Sequence, residues 1–558
     1  MRSVSGPLLS IDVGERSAET IDIDSILDSY MGGRGLGVRL AHEYIPYDVD
    51  PFGSENSLFF TIGPMQEGTI AMAGRASATS VSPLTDGLAS SNAGGYLCQA
   101  INRTGYSAVR ITGQSDELLA LHVTDDGVEF ESVPELEEGT VPDVAEAMAE
   151  DGYDSKNQVA IGPAGENLVR YASIMTDEHR AFGRAGLGAV LGSKKVKCVT
   201  FGGDSARKVE LPSCAKDVIT EAANSDDIMK TQGTAFETEW VNDNRSLPTK
   251  YYERYEFDEG VEGISGDRVE EKKYEKATCS GCTFACKLPT RDEETGLETE
   301  GPEFETVYSF GSNMMVDDIV SVMKSNDLCD NLGLDTISAG ASIAAYLKAE
   351  DEFGNSELVH EMIEKIAYRE GEGDMLAEGI DSFASELGVK NFTAKGIEFP
   401  AHDGRVSHGT ALSYATSNRG ADHMYSAMLI YDYFQTDEPS TLEGKPDMLP
   451  EFENQKAVND TAIFCRFSRN FVLETWDGED YRDRYEALLD ADYEELMELG
   501  SRIVELERHF NNQRGFDRED DTVPYEIEGL EAGIDRYYEL RGWNQDGTVP
   551  EDKVAAHL

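Results

Sequence analysis

The chain has 558 residues, of which 40% are hydrophobic and 9% aromatic, enough apolar side chain for two or three cored domains and too much for a disordered polymer. Its formal charge of -59, from 107 acids against 48 lysines and arginines, repels phosphate backbones and anionic lipid; no basic stripe with interleaved aromatics offsets it, which argues against nucleic acid as a partner. No run approaches the roughly 20 apolar residues of a bilayer span, and the N-terminus lacks an apolar leader, so a cytoplasmic protein is expected; acidity scattered in short clusters suits a salt-loving cell.

Up to about Gly203 the chain reads as strand-rich, with few helical stretches. Leu58–Ile62, Ser107–Ile111, Leu119–Val123, Gln158–Ile161 and Lys197–Phe201 are short β-prone runs bounded by Gly, Asp or Ser. Asp204–Pro212 is polar, ends in proline and reads as a linker. Beyond it, Asp318–Lys324, Ser338–Glu350, Leu358–Arg369 and Tyr493–Phe510 carry apolar residues at three-and-four spacing, several starting near Ser or Asp caps. The expected fold class is therefore α+β: a β-rich domain over 1–206, then two mainly helical domains over 207–392 and 393–558. No internal repeat is detectable.

Three glycine clusters stand out in the first part: Gly32–Gly37 around Arg34, Ser91–Gly95, and Gly183–Gly188 around Arg184, followed by Gly192–Lys194. Glycine lets backbone amides approach an anion, and arginine adds a forked, permanently charged donor. Any one cluster is more readily a tight turn; three in one domain shift the balance towards a large phosphorylated cofactor. No clean Gly-x-Gly-x-x-Gly lies between a strand and a helix, which disfavours NAD.

Cys279, Cys282 and Cys286 form a three-thiolate cradle with no fourth ligand nearby; Cys465 is the candidate, far downstream. Four thiolates hold an iron–sulfur cluster, whereas structural zinc normally pairs two ligands with two more at short spacing. Cys98, Cys198, Cys214 and Cys329 read as buried small apolar residues. Glu303 and Glu305 follow the cradle, and His423 lies further on; a carboxylate and an imidazole near a redox centre can activate water and protonate an oxyanion.

Taken together, these residues resemble the aldehyde ferredoxin oxidoreductase family, the tungsten-pterin enzymes of archaea and anaerobic bacteria. The resemblance spans nearly the whole chain. Its pieces are Gly32–Gly37; Arg75 with Ser82–Thr85 and Ser91–Gly95; Ile161–Asn167; Gly183–Gly188; the cysteine cradle; Gly301–Glu305; Asp330–Asp335; the stretch ending at His423; and Asp460–Cys465. The resemblance implies tungsten, or molybdenum, held by two pterins in the β-rich domain, and a four-iron, four-sulfur cluster on Cys279, Cys282, Cys286 and Cys465. By position, Asp330, Asp335 and Asp460 would bond the pterins, Arg75 would lie between pterin and cluster, and Gly94, Gly95 and Arg184 near the pterins and their phosphates. Asn92 and Ala185 would offer backbone oxygens near a magnesium ion, and Glu305 and His423 would be the acid–base pair.

The activity implied is oxidation of an aldehyde to a carboxylate, with electrons passing to ferredoxin or another acceptor. The alternatives are a carboxylate or aromatic-ring reductase subunit of a larger complex, and a non-catalytic protein that keeps the fold. Monomer and homodimer both stay open.

Overall fold

A computed structural model describes residues 1–475 and 478–558. The N-terminal part builds two six-stranded sheets. The first contains β1 (Leu8–Asp12), β2 (Ser17–Ile21), β3 (Leu58–Thr61), β4 (Ala76–Val81), β5 (Leu88–Ala93) and β6 (Ala108–Thr112), in the order β2-β1-β6-β3-β4-β5. The second contains β7 (Leu119–Thr124), β8 (Gly127–Ser132), β9 (Gln158–Ala160), β10 (Ile174–Thr176), β11 (Arg180–Phe182) and β12 (Val196–Phe201), in the order β11-β10-β9-β12-β7-β8.

Counted from its own first strand, each sheet has the same order. In both, the first strand runs parallel to the sixth and every other pairing is antiparallel. Both units also place a helix between their second and third strands and another between fifth and sixth: Gly33–Tyr44 and Leu97–Arg103 in one, Val141–Glu150 and Leu187–Ser193 in the other. The domain is thus a repeat of topology, which corrects the expectation of no internal repeat. Strand order rests on where apolar runs and turns fall, and many unrelated sequences satisfy one such pattern.

The five expected strands are present within a residue or two, but β4 and β5 escaped notice because Ala76–Val81 and Leu88–Ala93 are rich in Ala and Ser and poor in the residues that mark strands. Small side chains are needed there. A Cβ at Gly37 would stand 2.3 Å from Thr79 Oγ1, so the helix Gly33–Tyr44 lies directly on β4. This also corrects the reading of Gly32–Gly37 as a phosphate loop or tight turn: Gly33, Gly35 and Gly37 are helical packing positions. Arg34 is 2% exposed and spends its fork on Glu507, at 2.7 and 2.6 Å, with Tyr425 beneath it at 3.8 Å.

From Cys214 onward the chain is mainly helical. The expected helix at 318–324 extends over Ile319–Leu332, because Asp318 accepts from the Val320 and Ser321 amides and Gly333, at φ +76°, ends it. Tyr493–Gln513 packs on Lys445–Ala462 with Gly500 at the crossing, where a Cβ would meet the Asn454 carbonyl at 2.4 Å. A largely continuous apolar core joins the first sheet to these helices, and a smaller one lies between Val141–Glu150 and the second sheet. Among the described residues, no helix is long and apolar enough to cross a membrane.

Candidate active site

Glu305 lies in the first turn of the helix Phe304–Phe310 and is 17% exposed. Its Oε2 accepts the Ala401 amide at 2.8 Å. That anchor turns Oε1 towards two imidazoles, His423 Nε2 at 3.5 Å and His402 Nε2 at 3.6 Å, where it has no hydrogen-bond partner. Both ring Nδ1 atoms are also buried and unpartnered. Glu303, two residues earlier, faces elsewhere: it accepts from Thr234 Oγ1 at 2.6 Å and lies 3.6 Å from Arg180.

Burial governs the protonation of this group. It drives the Glu305 carboxyl up to about 8, with the Ala401 amide and Arg184 opposing. It holds His423 down to about 3 despite the Asp422 carboxylate, and His402 well below the ordinary imidazole range. Asp422 itself stays well below the usual carboxylate range because Arg419 and Arg184 outweigh its burial. Burial thus favours the uncharged form of all three side chains.

Glu305, His402 and His423 are close enough to hold one small ion, their ligand atoms all lying within 4.8 Å of one another. Metal-ligating histidines almost always donate their second ring nitrogen to a partner. Here both lack one, and the trio reads better as acid–base groups. The sequence reading missed His402, although only nine histidines exist to be tried against Glu305. It also missed Glu237, whose Oε2 is 3.9 Å from His402 Nε2 and which burial raises to about 7, and Arg466, whose Nη2 is buried without a partner.

The cysteines come from two distant segments of the helical region. Cys279, Cys282 and Cys286 lie on an irregular loop in which Gly281 and Ala285 take φ of +67° and +56°. The Cys279 carbonyl accepts from the Cys282 amide at 3.1 Å, Gly95 O accepts from the Ser280 amide at 2.9 Å, and Thr283 Oγ1 donates to Ile219 O at 2.8 Å. Phe284 packs against Phe467 and Phe471, just past Cys465, with ring centroids 6.0 and 5.9 Å apart. Cys465 is thereby brought back to the loop: its thiol pushes Cys286 upward beyond the effect of burial, while Cys282 and Cys279 act on Cys465 in turn. No three of these sulfurs gather within 4.8 Å of one another among the described residues, so the set is wider than a single-ion zinc site. Cys98, Cys198 and Cys329 are buried and Cys214 is half-buried.

The remaining predicted residues surround these two clusters. Arg75 Nη2 donates to Asn92 O at 2.7 Å and its Nε to Asn92 Oδ1, while Asn92 Nδ2 is buried without a partner. Arg75 acts on both Lys456 and Cys465. A Cβ on Gly94 would stand 3.3 Å from Cys279 Sγ, and Gly95 has φ +110°. Asp460 bonds Lys456 at 2.7 Å and lies 3.4 Å from Arg34. Asp330 lies 3.4 Å from His179 Nδ1.

Asp335 caps the helix Thr336–Glu350 and pairs with Arg184 at 3.2 Å. Arg184 also donates to Ala421 O and Glu398 O, so each of its nitrogens has a protein partner. Ala185, at φ +78°, accepts Ser82 Oγ at 2.8 Å through its carbonyl. Asn92 lies within β5, paired with Ser77, and Ala185 lies three residues past β11, in the loop before Leu187–Ser193.

Comparison with known proteins decides the class. Residues 8–203 match the family model "Aldehyde ferredoxin oxidoreductase, N-terminal domain", and residues 213–557 match "Aldehyde ferredoxin oxidoreductase, domains 2 & 3". The chain belongs to the aldehyde ferredoxin oxidoreductase family and is an oxidoreductase of that family. It is 34% identical to the tungsten-containing aldehyde ferredoxin oxidoreductase of Thermococcus kodakarensis, over 98% of this chain and 97% of that one. It is 25% identical to an aliphatic sulfonate oxidoreductase, WOR-like subunit, of Pyrococcus furiosus, over 100% and 97%. In fold it is similar to the active-site complex BamBC of benzoyl coenzyme A reductase in complex with 1,5-dienoyl-CoA, with TM-score 0.83 and 22% identity over 99% of this chain and 96% of that one.

Proposed function

We propose that the chain oxidises an aldehyde: aldehyde and water become a carboxylate, three protons and two electrons, the electrons leaving singly to a ferredoxin or similar carrier. The observation that carries this reading is the meeting of Glu305 Oε1 with His423 at 3.5 Å, within the influence of Arg466, the residue that follows Cys465. The buried polar atoms without partners, Asn92 Nδ2, Glu305 Oε1, His402 Nδ1, His423 Nδ1, Arg419 Nε and Arg466 Nη2, fit a pocket shaped around a polar group, since buried polar atoms are otherwise almost always paired.

A tungsten or molybdenum bis-pterin would supply the two-electron acceptor, and a four-iron, four-sulfur cluster the exit for single electrons. Cys279, Cys282, Cys286 and Cys465 would hold the cluster. Asp330, Asp335 and Asp460 would bond the pterins, with Arg75, Arg184, Gly94 and Gly95 close to them. The Asn92 and Ala185 carbonyls would flank a magnesium ion.

The chain's own residues handle water and protons. Ionised Glu305 takes a proton from the attacking water through Oε1, the oxygen that Ala401 leaves free. Neutral His423 donates a hydrogen bond from Nε2 to the carbonyl oxygen and steadies the charge that gathers there. Burial excludes bulk water and strengthens both contacts.

Protein purified without oxygen should contain tungsten or molybdenum with iron, and should reduce a viologen with some member of an aldehyde panel. Cys465→Ser should lose iron. One zinc per chain in place of these metals, or a metal-loaded enzyme inert to every aldehyde, would end the proposal. The sulfonate relative and the benzoyl-CoA reductase neighbour support a second reading, in which the same site serves a reductase subunit; inertness to aldehydes together with co-purifying iron–sulfur subunits would favour it.

A further inference from the structure

Building on the aldehyde-oxidising reading, we propose that His402 and Glu237 form the path by which protons collected on Glu305 leave the pocket. Each turnover releases three protons beside two electrons, and a single buried carboxyl can hold one. Until it is cleared, Glu305 cannot act again. Its Oε2 is tied to the Ala401 amide, so the proton to be cleared sits on Oε1.

Oε1 faces two nitrogens. His423 is committed to the carbonyl oxygen, which leaves His402 Nε2 at 3.6 Å. The same nitrogen faces Glu237 Oε2 at 3.9 Å. Exposure falls from Glu305, at 17%, to His402, at 4%, and is highest at Glu237, at 26%. Such contacts commonly shorten once substrate is in place.

The transfer is a pair of proton moves with no change of oxidation state. The O–H of Glu305 breaks as an N–H forms on His402 Nε2; that N–H breaks as an O–H forms on Glu237, which releases the proton to water. Arg466 and His423 act against a lasting imidazolium. Arg466 and Glu303 act on Glu237 with opposite sign, and Arg184, Glu237 and Asp422 act on Glu305. The rings of Phe304 and Tyr433 lie 5.4 and 5.9 Å from that of His402.

The test uses metal-loaded enzyme with an aldehyde and a viologen. Glu237→Gln and His402→Gln should each lower kcat by about 100-fold, the lower end for loss of a proton-transfer group, with KM for aldehyde unchanged. They should also show a larger solvent deuterium isotope effect than wild type, and recover with added imidazole or formate. Glu237→Asp should keep most of the rate. Metal content checks folding, and if one variant loads no metal the other decides; if neither does, wild-type kcat should rise with imidazole concentration in weakly buffered medium, and a flat response would overturn the path. Wild-type kcat and isotope effect in both variants would do the same, as would a loss confined to KM, which would mark Glu237 as a substrate contact. Wild-type enzyme inert to aldehydes would instead sink the function itself, and the path with it.

Discussion

Removing a carboxyl from water penalises its charged form, and Glu305 carries that penalty at the centre of the candidate site. Because burial raises it to about 8, a base role requires alkaline conditions or a shift on substrate binding. For the free enzyme, kcat/KM should rise about tenfold per pH unit and level off above about 8. Glu305→Gln should lower kcat by about 10²- to 10⁴-fold and abolish that limb; a rate profile measured for both proteins decides it. Stability should follow the same titration. The folded state binds the extra proton between the ordinary value of 4.5 and about 8, so this contribution is whole below the lower value and drains as pH rises through the upper one, at up to about 1.4 kcal/mol per pH unit. Denaturant unfolding of cofactor-free chain should therefore show Glu305→Gln gaining on wild type as pH rises through that window.

At the level of elements, close approach of backbones sets the architecture around the site. Glycine inside a helix ordinarily costs about 1 kcal/mol against alanine, yet Gly500 sits mid-helix because a Cβ would stand 2.4 Å from the Asn454 carbonyl. That crossing holds Tyr493–Gln513 where Asn511 Nδ2 donates to Asn418 O and Val504 O accepts from Asn418 Nδ2, at 2.8 and 2.9 Å, which ties down the segment leading to His423. Gly500→Ala should accordingly destabilise by about 1–3 kcal/mol, the usual cost of overpacking, instead of giving the helix-propensity gain. Thermal unfolding reads the sign directly, and a raised Tm would refute the packing argument.

For the whole molecule, a charge of -59 makes self-repulsion a standing load on the folded state. Raising salt from about 0.1 M to about 1 M shortens the screening length from about 10 to about 3 Å, so Tm should climb over that range. A calorimetric Tm that stays flat or falls in potassium chloride would show that ion pairs outweigh the repulsion. The relatives above come from Thermococcus and Pyrococcus, so the salt argument rests on charge alone. The repeated strand order adds a second property of the whole: two equivalent loops, after β5 and β11, facing one helical region.

Residue type and local spacing carried much of this in the linear chain. The cysteine triplet, the β-rich to helical shift near residue 203 and the long helices could all be read there, since each depends on neighbours in sequence or on a motif of fixed spacing. Other features arise only where distant segments pack. His402, Glu237 and Arg466 carry no local mark, and they matter because the helix starting at Phe304, the Ala401 amide and the segment after Cys465 converge. Arg34 shows the opposite case: it sits in a glycine-rich stretch that looks made for phosphate, yet the fold buries it against Glu507. Short-range pattern reports what a segment can form, whereas burial and pairing, which set protonation and hence chemistry, belong to contacts hundreds of residues apart.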